Sequence, residues 1–125
     1  EAPAFDTVRF LARLRSDDQT RPIGDALLDQ RNVAGIGNIW KAEGCWEAEI
    51  DPWRQVREIS DEQATLIIER VRPRMLRSAT EGHRTIKPRV YGRSGMPCPR
   101  CGTRLVARGQ GDANRTTYWC PGCQE

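Results

Sequence analysis

No run of about 18 apolar residues, the length a membrane-spanning helix requires, occurs in the chain. The opening residues EAPAFDTVRF lack the basic-then-apolar layout of a secretory leader, so neither membrane insertion nor export is expected. Histidine is nearly absent. His83 stands alone beside Arg84, with no serine or cysteine partner pattern around it, and reads as an exposed or phosphate-facing loop residue rather than a catalyst. Lysine is almost as scarce: Lys41 and Lys87 are the two lysines among 20 basic residues. The arginine excess suits bidentate phosphate contacts and fits an arginine-codon-rich genome equally well. With 38% hydrophobic and 6% aromatic residues in 125, the chain can build one small domain or two very small ones sharing a surface. A core of that size gains from a metal staple. Internal repeats and low-complexity tracts are missing.

What is present is unevenly placed. The net charge is +3, yet residues 1–83 hold 12 basic against 15 acidic residues and residues 84–125 hold 8 against 2. The basic character therefore sits in the last third. Five cysteines form an odd set with four in two close pairs, which points to metal binding in a reducing, cytoplasmic setting rather than to disulfides.

Helical spacing dominates the first two thirds. Asp6 is a plausible N-cap for a helix near 7–15 carrying Val8, Leu11, Ala12 and Leu14. Pro22 can open a second helix with Ala26, Leu27 and Leu28, and a glycine-containing break at 33–37 leads to a third from about Asn38 to Trp46, ended by Asp51-Pro52. Ser60 and Gln63 form a capping-box pattern before Ala64, Ile67, Ile68, Val71, Met75 and Ala79, with Pro73 expected to kink or split that helix. Residues 82–96, with glycines at 82, 92 and 95, read as an ordered linker. The expected division is a helical domain at 1–82, a linker at 83–96 and a separate module at 97–125.

That module carries the strongest pattern. Cys98, Cys101, Cys120 and Cys123 give two C-x2-C knuckles 18 residues apart, the spacing of a four-thiolate zinc site. A closed tetrahedron leaves no open position for substrate, so one structural zinc is expected, with iron in the same geometry as the chemical alternative. Thr103–Ala107 and Thr116–Trp119 are strand-like around the loop 108–115, which makes a zinc-stapled β-hairpin. Arg104, Arg108 and Arg115 favour phosphate contact, although four thiolates around a divalent ion remove two charges from the segment.

In VAGIGNIW, Gly35 and Gly37 stand just before a helix, where unpaired N–H groups and the positive dipole end can receive an anion and Asn38 adds an amide donor. The plainer reading is a tight interhelical turn with asparagine as cap. Asp29 and Gln30 either orient that turn by hydrogen bonds or form an exposed helix-end pair. Cys45 reads as a small buried hydrophobe. Trp40, Trp46 and Trp53 read as core and interdomain packing, and Trp119 as packing on the zinc hairpin.

Taken together, ALLDQRNVAGIGNIW, VYGRSGMPCPRCG and RTTYWCPGCQ resemble, in order and spacing, the C-terminal half of the formamidopyrimidine-DNA glycosylase and endonuclease VIII family. The resemblance covers nearly the whole chain. It implies a mainly α fold, a helix-two-turn-helix bundle followed by a four-cysteine zinc-finger β-hairpin, which grips damaged double-stranded DNA for base excision repair in a bacterial nucleoid. It implies that Gly35, Gly37, Asn38 and Arg115 contact DNA, with Asn38 and Arg115 clamping backbone phosphates around the lesion. Tyr91 and Arg93 match the family's linker, where they would dock the zinc finger on the helical domain.

The family's Schiff-base nucleophile is a processed N-terminal proline followed by glutamate. Pro3 is third in the chain, so its nitrogen is an amide, and Ala4 follows it. The resemblance therefore implies a C-terminal half that lacks the nucleophile, holds no catalytic residue, has a catalytic N-terminal domain as its partner and binds DNA without cleaving it. Members acting on oxidised purines commonly carry a lysine where Gly24 stands and a GGSSLRD-like loop that EGHRTIKPRVYGR does not match. The departures lean towards the endonuclease VIII branch and oxidised pyrimidines. Two other classes compete: a zinc ribbon that docks a protein, which binds DNA weakly and without salt sensitivity, and a cysteine redox protein, which releases zinc on oxidation.

Overall fold

The computed structural model describes residues 5–33, 35–82 and 86–125. The expectations for Pro3, Ala4, His83 and Arg84 lie outside them.

Helix α1 runs Thr7–Ser16, and Asp6 caps it by accepting the Arg9 N–H at 3.0 Å. Its inward face is Phe10 and Leu14, one turn apart, with Phe5 packed ahead of them. Val8 is 79% exposed and Ala12 also faces water, so the buried stripe is narrower than the apolar spacing suggested. Helix α2 is Ile23–Leu28, with Pro22 one position ahead at the N-cap. Its first N–H groups do not wait for a ligand: Ile23 donates to the Arg54 carbonyl at 2.7 Å and Gly24 to that of Pro52 at 2.9 Å. Arg21 ties the two helices together by pairing with Asp17, Asp25 and Asp29 at 2.7, 2.7 and 3.0 Å.

After the glycine turn, α3 spans Asn38–Glu47 and a 3-10 turn spans Val56–Glu58. Helix α4, Asp61–Glu81, starts with the expected reciprocal capping box between Ser60 and Gln63. It buries Ala64, Ile67, Ile68 and Val71, but on its last turns Ser78 is buried and Ala79 exposed. Pro73 does not split it. The ring is exposed, so the Glu69 carbonyl deprived of a donor lies on a face that water reaches. Gly44 lets α3 and α4 approach, because a Cβ there would meet Ile67 Cγ2 at 2.9 Å and the Ile67 carbonyl at 3.0 Å.

Strands β1, Val106–Gln110, and β2, Arg115–Trp119, pair antiparallel with Gln110 opposite Arg115 and Val106 opposite Trp119. The first strand starts three residues later than its apolar pattern suggests and runs on through Arg108-Gly109-Gln110. The register decides this, since Arg108 and Gln110 find strand partners in Thr117 and Arg115. The tip shrinks to residues 111–114, closed by the Asn114 N–H on the Gly111 carbonyl at 3.0 Å. The fold is thus mainly α, with a zinc-type hairpin appended, as the patterns implied.

Two cores result. One lies between α1, α2, α3 and α4. The other joins Ala42 and Trp46 of α3 to Val90, Leu105, Cys98 and Cys120. The linker is drawn into this second core by Glu43. Its buried carboxylate accepts the N–H groups of Arg89, Val90 and Tyr91 at 2.9, 2.9 and 3.1 Å and pairs with Arg74 at 3.0 Å. Gly44→Ala is expected to lower stability by about 1–2 kcal/mol, overpacking outweighing the gain in helix propensity. Denaturant melts of the zinc-loaded protein check it, and an unchanged midpoint would contradict the close helix approach.

Candidate nucleic-acid interface and metal centre

The four Sγ atoms of Cys98, Cys101, Cys120 and Cys123 lie within 4.8 Å of one another. Cys98 to Cys123 is 3.8 Å and Cys101 to Cys120 is 3.4 Å. Tetrahedral zinc with bonds of about 2.3 Å separates its sulfurs by about 3.8 Å, so the donor set fits one such ion. The cluster holds one structural zinc. Each knuckle is shaped by its own backbone: Gly102 donates to the Cys98 carbonyl at 2.8 Å and Gln124 to that of Cys120 at 3.1 Å. The buried Gln124 side chain accepts the Cys120 N–H at 2.7 Å and donates to the Ile50 carbonyl at 2.9 Å, fastening the second knuckle to the loop after α3.

Helix α3 reaches the sulfurs directly. The Trp46 indole N–H donates to Cys98 Sγ at 3.3 Å. Arg100 donates to Cys123 Sγ at 3.3 and 3.1 Å and to the Trp46 carbonyl at 2.7 Å, its guanidinium 4.0 Å over the Trp46 ring. Burial opposes ionisation of Cys98, yet the Trp46 N–H and the backbone N–H groups of Cys101 and Arg100 outweigh it and draw the thiol down to about 6. Burial and the neighbouring Cys120 and Cys98 sulfurs push Cys123 up to about 12 even though Arg100 donates to it. A divalent cation settles this contest, because it holds all four ligands as thiolates.

The opposite end of α3 carries the glycine turn. Gly35 has φ +85°, a conformation that favours glycine. Its N–H is not available to an anion, since it donates to Gln30 Oε1 at 2.8 Å. Gln30 thus orients the turn rather than standing idle at a helix end. Asp29 turns instead to Arg31, which with Arg21 holds its carboxyl well below the usual carboxylate range. Gly37 is the N-cap of α3, no side chain caps the helix, and a Cβ at Gly37 would meet nothing within 4 Å. Asparagine is therefore not the cap; Asn38 is the first helical residue. Its Nδ2 donates to the Thr116 carbonyl at 2.6 Å, beside Arg115. The glycine turn and the hairpin are joined at this bond. Nδ2 keeps a second hydrogen, while Oδ1 is buried with no partner.

Alternate residues of β2 share a face, so Arg115, Thr117 and Trp119 look the same way. Thr117 turns into the helical domain, where its hydroxyl receives Lys41 Nζ at 2.6 Å and donates to Gln110 Oε1 at 3.0 Å. Gln110 Nε2 donates to the Pro52 carbonyl at 2.9 Å. A Cβ at Gly24 would overlap Gln110 Oε1 and press on Pro52 at 3.0 Å, so position 24 has no room for a long side chain while Gln110 sits there. Gly111 packs closely on Asp25 in the same way. Arg115 is exposed, and its guanidinium has no hydrogen-bond or ion-pair partner among the described residues. Arg108 differs, stacking 4.2 Å over Trp53 and 5.9 Å from Trp119.

Cys45 is fully buried and its thiol is pushed up to about 12 by that burial, as fits a small core residue. Tyr91 docks the linker by an edge contact with Tyr118 at 5.1 Å. Sequence reasoning missed Lys41, Glu43, Arg100 and Gln110. The available signal was the helical spacing of Asn38, Lys41, Ala42 and Trp46, which puts them on one face of α3.

The geometry defines a helix-two-turn-helix domain locked to a four-thiolate zinc hairpin. Comparison gives this class a family: residues 2–89 match the formamidopyrimidine-DNA glycosylase H2TH domain, and residues 95–125 match the zinc finger found in FPG and IleRS. The chain belongs to the formamidopyrimidine-DNA glycosylase family. It is 44% identical over 131 residues to a probable endonuclease 8 2 of Streptomyces coelicolor, covering 98% of this chain and 47% of that protein. To the formamidopyrimidine-DNA glycosylase of Listeria innocua it is 33% identical, covering 98% and 49%. Among solved structures, MutM (Fpg) of Thermus thermophilus superposes with TM-score 0.80 at 30% identity, covering 95% of this chain and 50% of that one. Lactococcus lactis Fpg in complex with an abasic site containing DNA gives 0.80 at 29%, covering 97% and 48%. The chain spans about half the length of the curated relatives it matches.

Trp46→Phe removes the N–H on Cys98 while keeping a ring under Arg100. It is expected to weaken zinc retention about tenfold in a chelator competition, the usual scale for an outer-sphere partner of a metal ligand. Retention equal to that of the parent would show that the indole N–H does not support the site.

Proposed function

We propose that this chain grips the backbone of damaged duplex DNA, with Gly37 and Asn38 at the start of α3 and Arg115 on the hairpin as its phosphate contacts and zinc as the fastener of the hairpin. Gly35 takes part as the turn that exposes the helix end rather than as a donor. The observation that carries this reading is the 2.6 Å bond from Asn38 to the Thr116 carbonyl, which makes an uncapped helix N-terminus and an unpaired arginine one surface. Anions favour both ends of that arrangement: the positive end of the helix dipole and a planar guanidinium. Solved relatives bound to abasic DNA support the choice of partner.

Within a longer polypeptide the clamp serves a base excision glycosylase and lyase whose nucleophile lies in a separate domain, so residues 1–125 alone bind without cleaving. Domain limits of 1–82 and 97–125, with 83–96 between them, describe the two halves of the clamp. Oxidised pyrimidines are the proposed lesion class. Gly24 supports this, because Gln110 occupies the space that a lysine at that position would need.

The test is fluorescence anisotropy of the zinc-loaded chain on a short duplex carrying a tetrahydrofuran abasic analogue, across a salt series, with borohydride trapping alongside. Affinity should fall steeply as salt rises. Arg115→Ala should weaken binding about tenfold at ~0.1 M salt, the loss of one charge-assisted contact worth about 1.5 kcal/mol, and make the salt slope shallower by about one. No trapped adduct should form. Weak, salt-insensitive binding, or an Arg115→Ala variant that binds like the parent, would remove the clamp and leave a protein-docking ribbon.

A further inference from the structure

Among the described residues Lys41 is the one buried cation, and the phosphate contacts of the clamp do not include it. It lies in the middle of α3, on the face that receives the hairpin, and is 0% exposed. Among the described residues its ammonium has no carboxylate within ion-pair distance. Its polar contacts are Thr117 Oγ1 at 2.6 Å and Gln110 Oε1 at 3.5 Å, both neutral and both from the hairpin. The charged and titratable groups that face it are Cys45 on its own helix, Arg115 on β2 and Asp25 on α2. Cys45 is a neutral thiol in this setting, since burial pushes it up to about 12. Asp25 is committed to Arg21 at 2.7 Å. At the Asn38–Thr116 junction, then, stand two cations, the buried Lys41 and the exposed Arg115, neither with a carboxylate within ion-pair distance among the described residues.

A buried ammonium held only by neutral acceptors is costly unless an anion arrives to share its field. An anion is the kind of ligand that the surface beside it would bind in the proposed clamp. Lys41 and Asn38 are three residues apart on one helix face, and they bond to consecutive residues of β2, Thr117 and Thr116, with Arg115 next in line. Resting on the DNA-clamp reading, we infer that Lys41 is a positioning residue whose buried charge couples phosphate binding to proton uptake, so that the grip on DNA weakens in mildly alkaline solution. It needs no contact with the phosphate, because the low-dielectric junction transmits its charge.

The sign follows from its protonation. In the free protein burial pushes the Lys41 ammonium down to about 8. A phosphate anchored over the junction favours the charged form and raises that value. Well below pH 8 both states hold the proton and Lys41 adds no pH dependence. Above it the free protein loses the proton, the complex keeps it, and each binding event takes one up. Affinity then falls by up to tenfold per pH unit until the raised value of the complex is passed.

The experiment measures affinity for the tetrahydrofuran duplex from pH 6.5 to 9.5 at fixed salt, using the zinc-loaded chain with its α-amino group acetylated so that it cannot contribute. Binding should be level to about pH 7.5 and drop at least threefold by pH 9. Lys41→Met, which leaves Thr117 bonded to Gln110, should bind more weakly at pH 7 and show a flat profile. Lys41→Arg should also be flat, because its charge persists across the range. Calorimetry at pH 8.5 in buffers of different ionisation enthalpy should give a net uptake approaching one proton with the unsubstituted chain, which decides the matter even where a variant fails to fold. A flat profile with no proton uptake, or a Lys41→Met variant with the parent's slope, overturns the inference while leaving the clamp intact. Absence of salt-sensitive DNA binding at every pH strikes the clamp itself.

Discussion

Helix α3 has to satisfy two partners at once. From Asn38 to Trp46 its side chains alternate between the helical core, where Cys45 and Gly44 pack, and the hairpin, where Asn38, Lys41, Ala42 and Trp46 make their contacts. The hairpin is too small to hold itself together by apolar burial, so its shape depends on the metal and on what α3 lends to the sulfurs. Trp46 and Arg100 stand at one end of this arrangement and Asn38 at the other. Whatever fixes the zinc end fixes the position of Arg115 relative to the glycine turn.

The electrostatics repeat the division. Arginines that pack are neutralised or stacked: Arg21 sits among three aspartates, Arg74 pairs with Glu43, and Arg108 lies over Trp53. Near the glycine turn the pattern reverses. Among the described residues neither Arg115 nor Lys41 has a carboxylate within ion-pair distance, and α3 begins without a side-chain cap. The net charge of +3 says little about this; the location of the uncompensated groups says a good deal. In the proposed clamp such a surface favours the phosphodiester backbone over any particular base, since backbone contacts position a duplex without reading its sequence.

Much of the architecture was legible in the sequence because it rests on local chemistry. Ser60 and Gln63 cap a helix wherever they fall before an apolar stripe, and two C-x2-C knuckles announce a metal before any fold is known. The misreadings have physical causes. Apolar spacing placed Val8 and Ala12 in the core, but the partner surface of α1 is narrow and takes only Phe10 and Leu14. Glycine and glutamine made 108–110 look like loop, whereas cross-strand pairing carries β1 through them. A proline inside α4 looked disruptive because sequence cannot show that it faces water. Lys41 passed as an ordinary basic residue, for its burial depends on a hairpin that folds back from almost 70 residues downstream.

In the proposed clamp the glycine turn and the hairpin act as one phosphate-binding surface through the bond between Asn38 and Thr116. A double-mutant cycle on Asn38→Ala and Arg115→Ala, read as affinity for the tetrahydrofuran duplex at fixed pH and salt, tests it most directly. One surface should give a coupling energy of about 1 kcal/mol, with the double variant binding better than the two single losses add up to. Losses that add within about 0.3–0.5 kcal/mol would mean two independent contacts and would contradict the account.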